Sequence, residues 1–383
     1  MKSLADEWKH IRGSKWIIVI FVAPLIAAVF FGLMFSRNQL SETPVVVVDE
    51  DHSSYSRQLI EKINASQYID VTNVFANRLS PDMLLANEQA VAVIYIPEGL
   101  QQRKDKGLSS SIGIWMDNTM PSSLSGIRPA IQEIITTENM TLSLTHLAES
   151  GMDMESARNL LSPLSMAQRM LYNPTSSYVG TMVIGFVNII ILMLTTGAAG
   201  AIAPRLRQEG KLMSAGDSPF HLWIRAVPYA LLCTCSSLLS YGMLKQVGHM
   251  RFEAAPYIFV VPLLLYSMAL CLLAVLLGYS VRNVSKVGAR MSIILYPSFL
   301  VTGIQLTPLA FPTFFQVTAW ALPMNWLNRM IRGMAFRHGE LGFYSLELGA
   351  CILIIGLASL GIGIFLRREL RKQSSQAYAE AAV

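Results

Sequence analysis

The sequence predicts a polytopic α-helical membrane protein of six transmembrane helices, with an α/β extracytoplasmic domain inserted after the first helix. One apolar span at Trp16–Phe35 is followed by soluble-looking chain over residues 36–174, and the other apolar spans are crowded into Tyr178–Leu366. The composition agrees, because 52% of the residues are hydrophobic and only 14% are charged, whereas about a quarter of an average soluble domain is charged. These observations favour functions carried out in a bilayer.

The segment before the first span, residues 1–15, is predicted to be a helix lying in the cytoplasmic interface. Leu4, Trp8 and Ile11 share one helical face, which would rest on the membrane. The charged residues are assigned to the other faces, and they are Lys2, Glu7, Lys9 and Arg12. A solvated basic tail that only orients the span is the alternative.

The first span itself, residues 16–35, is expected to be an uncleaved anchor. A cleaved signal peptide is the alternative, since basic residues precede the apolar core. The apolar run is longer than the roughly 7–15 residues of a signal-peptide core, and no small-residue cleavage site follows Phe35. An anchor therefore fits better.

Five further spans are predicted from runs without Asp, Glu, Lys or Arg, because a helix needs about 20 predominantly apolar residues to cross the hydrocarbon core. They make up a five-helix transmembrane region, residues 175–366. The runs are Met170–Pro204, Ala226–Leu244, Ala254–Val281, Met291–Asn328 and Leu348–Leu366.

One of these runs, Met291–Asn328, is too long for one span and is interrupted by prolines. We expect a span to about Thr302, followed by a bent or re-entrant segment at the outer surface, residues 303–328. Non-helical backbone at that depth requires protein or water to satisfy its polar groups. The residues that define this segment are Gly303, Pro308, Pro312 and Pro323.

Lysine and arginine in the short loops predict the orientation, since cytoplasmic loops carry the excess of basic residues. Fifteen basic residues flank the spans on the side of the N-terminus, and five lie in the short loops on the other side. Both termini are then cytoplasmic and residues 36–174 are extracytoplasmic. Residues 204–225 form a cytoplasmic loop, and residues 367–383 a cytoplasmic tail.

Strand and helix patterns alternate through residues 36–174, which favours a small α/β domain. The predicted strands are Pro44–Val48, Tyr68–Val74, Ala90–Ile96 and Ser111–Met116, and the predicted helices are Ser53–Ile63, Pro81–Asn87 and about Pro121–Leu147. The acidic run Asp49-Glu50-Asp51 is interpreted as a solvated turn, with a metal site as the alternative. All four cysteines fall in predicted spans, where they are expected to be packing residues, so the domain should fold without disulfides.

Motifs for catalysis are absent from the sequence. There is no GxxxxGK[ST], HExxH or GxSxG, and the only Gly-Lys pair, Gly210-Lys211, lacks the flanking residues of a phosphate-binding loop. The chain is therefore expected to bind no cofactor and to hydrolyse no ATP. Its charge-free spans also lack the ionisable residues that mark proton or sodium coupling, so energy would come from a partner.

The layout of the chain resembles that of the permease subunits of bacterial type-2 ABC exporters with an extended periplasmic domain. It consists of one span, a large outer domain and five further spans. Three short stretches are similar to motifs of that family. They are Leu171-Tyr172-Asn173-Pro174 before the second span, Val301-Thr302-Gly303 with Pro308, and Ala321-Leu322-Pro323-Met324-Asn325-Trp326 followed by Arg332-Gly333.

A fourth stretch, Arg205–Met213, is similar to the cytoplasmic segment that couples these permeases to their ATPase. The resemblance implies that Arg207, Glu209, Gly210, Lys211, Leu212 and Met213 contact an ATP-binding subunit. The sequence departs from the family pattern at Lys211, where threonine is usual, and it lacks the second acidic residue. The residues themselves predict a short amphipathic helix, ended by Gly216, that docks into a soluble partner. A solvated basic loop is the alternative.

The resemblance implies a non-catalytic permease in the bacterial inner membrane that exports a hydrophobic or amphiphilic compound, such as a drug, lipid or glycolipid. ABC ATP-binding subunits would hold ATP and Mg²⁺, and a second permease, identical or different, would complete the complex. The helix with Leu4, Trp8 and Ile11 would be an interfacial gate helix. A periplasmic adaptor and an outer-membrane channel are further expected partners, and nucleic acid is not. The alternatives are an envelope scaffold that recruits partners without transport and a membrane-embedded enzyme.

Overall fold

The computed structural model describes residues 2–36, 42–77, 79–86, 90–118, 124–153, 155–156, 161, 177–212, 220–252, 255–304, 306–337 and 339–381. The chain divides into two compact units. The first unit consists of residues 1–38 and 170–383, and the second, inserted unit consists of residues 39–169.

Two helices of the first unit precede the insertion, α1 at Lys2–Gly13 and α2 at Trp16–Met34. One face of α2 is buried along a four-residue repeat, formed by Ile20, Pro24, Ala28 and Gly32. A second face is apolar and exposed, with Ile18, Val22, Ile26 and Phe30. An exposed apolar stripe of this length is typical of a helix that faces lipid or another membrane subunit.

Four strands of the inserted unit form one sheet in the order β2-β1-β3-β4. Strand β1 pairs in parallel with β2 and with β3, and β3 pairs antiparallel with β4. The strands are β1 Thr43–Asp49, β2 Ile69–Phe75, β3 Ala92–Ile96 and β4 Gly113–Met116. The helices are α3 Ser54–Asn64, α4 Pro81–Ala86, α5 Leu100–Asp105 and α6 Ile127–Glu149.

The valine run of β1 explains why this strand is central. Val45 and Val47 pack on one side of the sheet in a core that includes residues of α3 and α6. Val46 and Val48 pack on the other side with Leu84 of α4. A strand buried on both faces is a near-continuous hydrophobic run, as parallel strands usually are. The predicted alternation of strands and helices is found here, with shifted bounds, and α5 is an element that the sequence pattern did not indicate.

The acidic run after β1 differs from the predicted solvated turn. Asp49 is 4% exposed, and its carboxylate accepts hydrogen bonds from the Ser56 hydroxyl at 2.7 Å and the Asp51 backbone N–H at 3.1 Å. The Asp51 carboxylate accepts from the backbone N–H of Gln101 at 3.1 Å. Interpreting Asp49 as solvated was therefore wrong, because these bonds join the end of β1 to α3 and α5.

The remaining helices of the first unit follow the insertion. A π-helical turn, Val179–Val183, leads into α7. The helices are α7 Ile184–Gly200, α8 Ile202–Gln208, α9 Phe220–Val247, α10 Pro256–Tyr279, α11 Val287–Val301, α12 Thr313–Trp320, α13 Pro323–Met330 and α14 Ser345–Ala381. A second π-helical turn, Ile331–Phe336, continues α13.

Six helical stretches within the described residues are long and apolar enough to cross a membrane, which confirms the predicted number. They are Trp16–Met34, Val179–Gln208, Phe220–Val247, Tyr257–Tyr279, Val284–Val301 and Leu341–Arg371. Those containing α7, α9 and α10 are the most buried, and those containing α2, α11 and α14 are more exposed. The first three therefore form the centre of the bundle.

The last helix is longer than the sequence pattern indicated. A span at Leu348–Leu366 and a separate tail at residues 367–383 were predicted, whereas α14 continues without a break to Ala381. The chain from Arg367 to Ala381 contains neither glycine nor proline. Because its Arg, Glu, Leu, Gln and Ala residues favour helix, nothing local ends the helix at the predicted boundary.

Helices α7 and α10 cross at two glycines just before α8 begins. A Cβ atom on Gly278 would lie 2.0 Å from the carbonyl oxygen of Gly200, a backbone atom that cannot turn aside. A Cβ on Gly200 would instead meet the flexible end of Met291, at 2.8 Å. Small residues at such crossings let two backbones touch, so Gly278 sets the distance between the helices.

Gly278→Ala is expected to lower the free energy of unfolding by roughly 1–3 kcal/mol, the usual cost of overpacking. The measurement is denaturant unfolding of the purified chain in mild detergent. Gly363→Ala is the matched control, because no atom lies within 4 Å of the added methyl group. Equal stability of the two variants would contradict the close crossing.

Candidate functional site

Glu7, in the middle of α1, is a charged residue with no exposed surface. Its carboxylate accepts hydrogen bonds from three side chains on two other helices. Arg205 Nη2 of α8 lies 2.6 Å from both carboxylate oxygens. Arg225 Nη1 and Tyr229 Oη of α9 lie at 3.0 and 2.8 Å. We call these four residues the buried polar cluster, and a buried carboxylate is stable only with partners of this kind.

The local sequence explains how α1 delivers Glu7 to this position. Ile11 lies four residues further on and is fully buried, so both side chains lie on the same side of the helix. Trp8 packs against the same core, whereas Leu4 is 40% exposed. The face predicted to rest on the membrane is thus partly covered by protein. The prediction that Glu7 lies on a different face from Ile11 was wrong, because both side chains are buried on the same side of α1.

The environment of the buried polar cluster also changes the pKa of His10, a histidine on α1. Burial, together with the charge of Arg205, lowers the pKa of His10. The imidazole is therefore neutral at neutral pH, and it adds no third cation beside Arg205 and Arg225.

Arg207 anchors the other side of α8. Its Nη1 lies 2.9 Å from the carbonyl oxygen of Val281 and 3.3 Å from that of Tyr279, where α10 ends. Its Nη2 lies 3.3 Å from Glu369 Oε2 of α14, which also accepts a hydrogen bond from the Tyr279 hydroxyl. A cation is favourable at the C-terminal end of a helix. Helix α8 is consequently bonded to α1 through Arg205, and to α10 and α14 through Arg207. Its polar connection to α9 runs through the Glu7 carboxylate, which the two α9 members of the buried polar cluster also bond.

Helix α8 ends in a Schellman motif. The Lys211 N–H donates to the Leu206 carbonyl at 2.8 Å, and the Gly210 N–H donates to the Arg207 carbonyl at 3.2 Å. Gly210 has a φ of 67°, a left-handed conformation that favours glycine. The helix therefore ends at Gln208, and the prediction that it continues to Gly216 was wrong. Gly216 and Met213 lie outside the described residues.

The turn that follows, Glu209–Leu212, presents two charged side chains. Lys211 is 65% exposed, and its Nζ lies 3.0 Å from Oε2 of Glu209, which is 40% exposed. This hydrogen bond lowers the pKa of Glu209. An exposed pair of this kind adds little stability, so both side chains can exchange it for contacts with a partner. Leu212 is buried and holds the end of the turn against the bundle.

The predicted contact residues thus lie in one short stretch but occupy different environments. Glu209 and Lys211 are available at the surface, Gly210 shapes the turn, and Leu212 is buried. Arg207 is 26% exposed and bonds within the bundle. Glu7, Tyr229 and Glu369 were not predicted from the sequence to be functional residues. Two four-residue spacings in the sequence could have indicated the buried polar cluster, because they place both residues of a pair on one side of a helix. They are the spacings of Glu7 with Ile11 and of Arg225 with Tyr229.

The segment of residues 303–328 contains the four residues named from its sequence. Gly303 has a φ of 83°, and its carbonyl accepts a hydrogen bond from Arg332 Nη1 at 2.7 Å. The three prolines start or precede helical turns: Pro308 begins a 3-10 turn, Pro312 precedes α12, and Pro323 begins α13. Proline is well suited to these positions, since the first turn of a helix needs no N–H donor.

No group of three or more His, Cys, Asp or Glu side chains able to hold a metal ion occurs within the described ranges. The four cysteines, Cys233, Cys235, Cys271 and Cys351, are not paired in disulfides and lie in the membrane-spanning helices, as predicted.

The sequence model of one protein family, described as ABC-2 family transporter protein, matches residues 15–366. The matched range begins just before α2 and includes α8, the turn after it and the inserted unit. Helix α1, with Glu7, precedes it. No curated protein matches the chain.

Proposed function

The chain belongs to the ABC-2 family of transporter proteins, and from that membership we propose that it exports a hydrophobic or amphiphilic compound. It is a multi-pass membrane permease that works with ABC ATP-binding subunits. In our proposal those subunits hold ATP and Mg²⁺, this chain pairs with a second permease, and the complex lies in a bacterial inner membrane. Both termini are then cytoplasmic and residues 36–174 periplasmic.

The observation that supports this proposal is the double anchoring of α8. Glu209 and Lys211 are exposed at its end, while Arg205 bonds one side to α1 and Arg207 bonds the other side to α10 and α14. Removing one partner of a buried ion pair costs about 3–5 kcal/mol, so force on the turn would move α8 together with its neighbours. An envelope scaffold has no need of such a connection.

Transport would follow from a shift in the populations of two states. Closure of the ATP-binding subunits would carry α8, and with it the ends of α1, α9, α10 and α14. Moving a two-state equilibrium from 1:99 to 99:1 requires about 5.5 kcal/mol of preference for one state. ATP binding to the partner subunits would supply this preference, because it favours their closed arrangement.

The exposed apolar stripes support a partner within the membrane. One exposed apolar stripe lies on α2. A second lies on α14 and includes Ile352, Leu353, Leu357 and Leu360. Lipid and a second permease would together cover such faces, and an amphiphilic cargo would move along the boundary between them.

Reversing the charge of Glu209 in the exposed turn tests whether this turn couples the permease to the ATP-binding subunits. Glu209→Lys should reduce ATPase activity stimulated by the permease roughly ten-fold or more, because like charges across an interface cost several kcal/mol. The assay compares ATP turnover of the assembled complex with that of the ATP-binding subunits alone. Glu340→Lys is the matched control, since Glu340 is an exposed carboxylate outside α8 and its turn.

A cross-linking measurement locates the same contact. Cysteine in place of Lys211 should cross-link to the soluble ATP-binding subunit, which also places this turn on the cytoplasmic side. Normal stimulated turnover in Glu209→Lys, with no cross-link from position 211, would exclude the turn from the coupling mechanism.

A further inference from the structure

Three arginines of the first unit line two adjoining cavities. A cavity of about 360 Å³ is lined by Arg329, Arg332 and Arg337. A second, of about 240 Å³, shares Arg332 and Arg337 and is bordered by Gly303. We call the two cavities together the arginine pocket.

The arginine pocket lies at the opposite end of the spans from the buried polar cluster. Glu347 lines the pocket near the start of α14, whereas Glu369 of the same helix bonds Arg207. At 1.5 Å per residue, roughly 33 Å of helix separates these two carboxylates. That length corresponds to the thickness of a bilayer core, about 30 Å. The pocket and the exposed turn are thus on opposite membrane faces.

The pocket has an excess of positive charge. Its described lining residues include three arginines and one carboxylate, Glu347, which lies 3.1 Å from Arg329. Arg332 donates to a neutral group, the Gly303 carbonyl, and approaches so closely that a Cβ on Gly303 would lie 3.0 Å from its Nη1. Burial, with the charges of Arg337 and Arg329, lowers the pKa of Arg332. A bound anion would relieve this repulsion.

Exposed apolar side chains line the larger cavity beside the arginines, and others lie on the segments that form it. Leu309 and Trp320 line the larger cavity and are 84% and 56% exposed, and Phe343, beside the lining residue Tyr344, is 80% exposed. Phe314 of α12 is 75% exposed. We call these exposed apolar side chains the apolar rim. A soluble anion would leave the apolar rim exposed to water, whereas the acyl chain of a lipid would cover it. Aromatic side chains of this kind also mark the level of lipid headgroups.

We propose that the arginine pocket binds the phosphate-bearing headgroup of a membrane lipid. The planar guanidinium fork matches a phosphate in two-point contacts, and the acyl chains lie over the apolar rim. This site is separate from the exposed turn, and it does not depend on which compound is exported.

The test measures lipid selectivity of the purified full-length chain. The chain is reconstituted in nanodiscs of phosphatidylcholine with added phosphatidylglycerol, and retained lipid is counted by native mass spectrometry. Arg337→Gln should weaken retention of phosphatidylglycerol roughly ten-fold, the usual effect of losing a charge-assisted contact. Arg332→Lys should also weaken it, because lysine keeps the charge and a donor for Gly303 but lacks the fork.

Lys245→Gln is the matched control. Lys245 is an exposed cation at the far end of α9, where it donates to the Phe252 carbonyl at 3.2 Å. Unchanged retention in this variant, with loss in both arginine variants, supports the pocket. Equal loss in Lys245→Gln would overturn it in favour of general surface charge, and so would a wild-type chain without preference for the anionic lipid.

A second arm distinguishes a lipid from a soluble anion. Inorganic phosphate at millimolar concentration should not displace phosphatidylglycerol, since it makes no contact with the rim. Complete displacement would overturn the assignment to a lipid. ATPase stimulation plays no part in either measurement, so failure here leaves the coupling proposal standing, and the reverse also holds.

Discussion

Replacing Glu7 with alanine is expected to lower the free energy of unfolding of the first unit by about 3–5 kcal/mol, because Arg205 and Arg225 then lose their buried counter-ion. The Tyr229 hydroxyl loses its acceptor as well. Helix α1 should separate from α8 and α9, since Glu7 is the buried charged residue of α1 that bonds both helices. Denaturant unfolding of the purified chain and trypsin cleavage after Arg12 would measure the two effects.

Asp6→Ala is the control for this substitution. Asp6 is adjacent in the sequence but 68% exposed, and its carboxylate lies 3.9 Å from Arg225. Exposed pairs contribute about 0–1 kcal/mol, so this variant should behave almost as the wild type. If Glu7→Ala were no less stable than Asp6→Ala, the buried cluster would not hold α1 in place.

The second large effect is expected when the inserted unit is removed. Replacing Ser41–Leu171 with a short flexible linker should abolish export while membrane insertion and ATPase stimulation remain. The unit is a compact body with its own core, so its loss should leave the helical bundle intact. Connections between helices need only about 2–8 residues, which means that so large an insertion must have another role. We propose that this role is contact with a second permease and a periplasmic adaptor.

Export is measured in cells that produce the truncated protein, and the complex for the ATPase assay is purified from the same cells. Export is measured as efflux of a hydrophobic dye or as surface appearance of lipid, and ATPase stimulation is measured on the purified complex. A truncated protein that exports at the normal rate would exclude the inserted unit from the transport pathway. Loss of insertion or of stimulation would instead show that the unit supports the bundle.

The number and approximate positions of the spans could be predicted because a bilayer imposes its own length and composition on each helix. The prediction Trp16–Phe35 and the observed α2, Trp16–Met34, differ by one residue. The same local reasoning identified β1 from its valines. It failed at the last helix, where the apolar run ends at Leu366 but helix-favouring residues continue.

The amino-acid sequence by itself determined the six spans, the inserted strands, the inserted helices other than α5, and the stretch that contains Glu209 and Lys211. Only the tertiary structure decided which charges are buried and what they bond. Glu7 meets Arg205 across 198 residues of chain, and Gly278 meets Gly200 only because two helices cross. Periodicity describes one helix at a time, whereas the cost of burying a charge depends on partners that packing alone brings together.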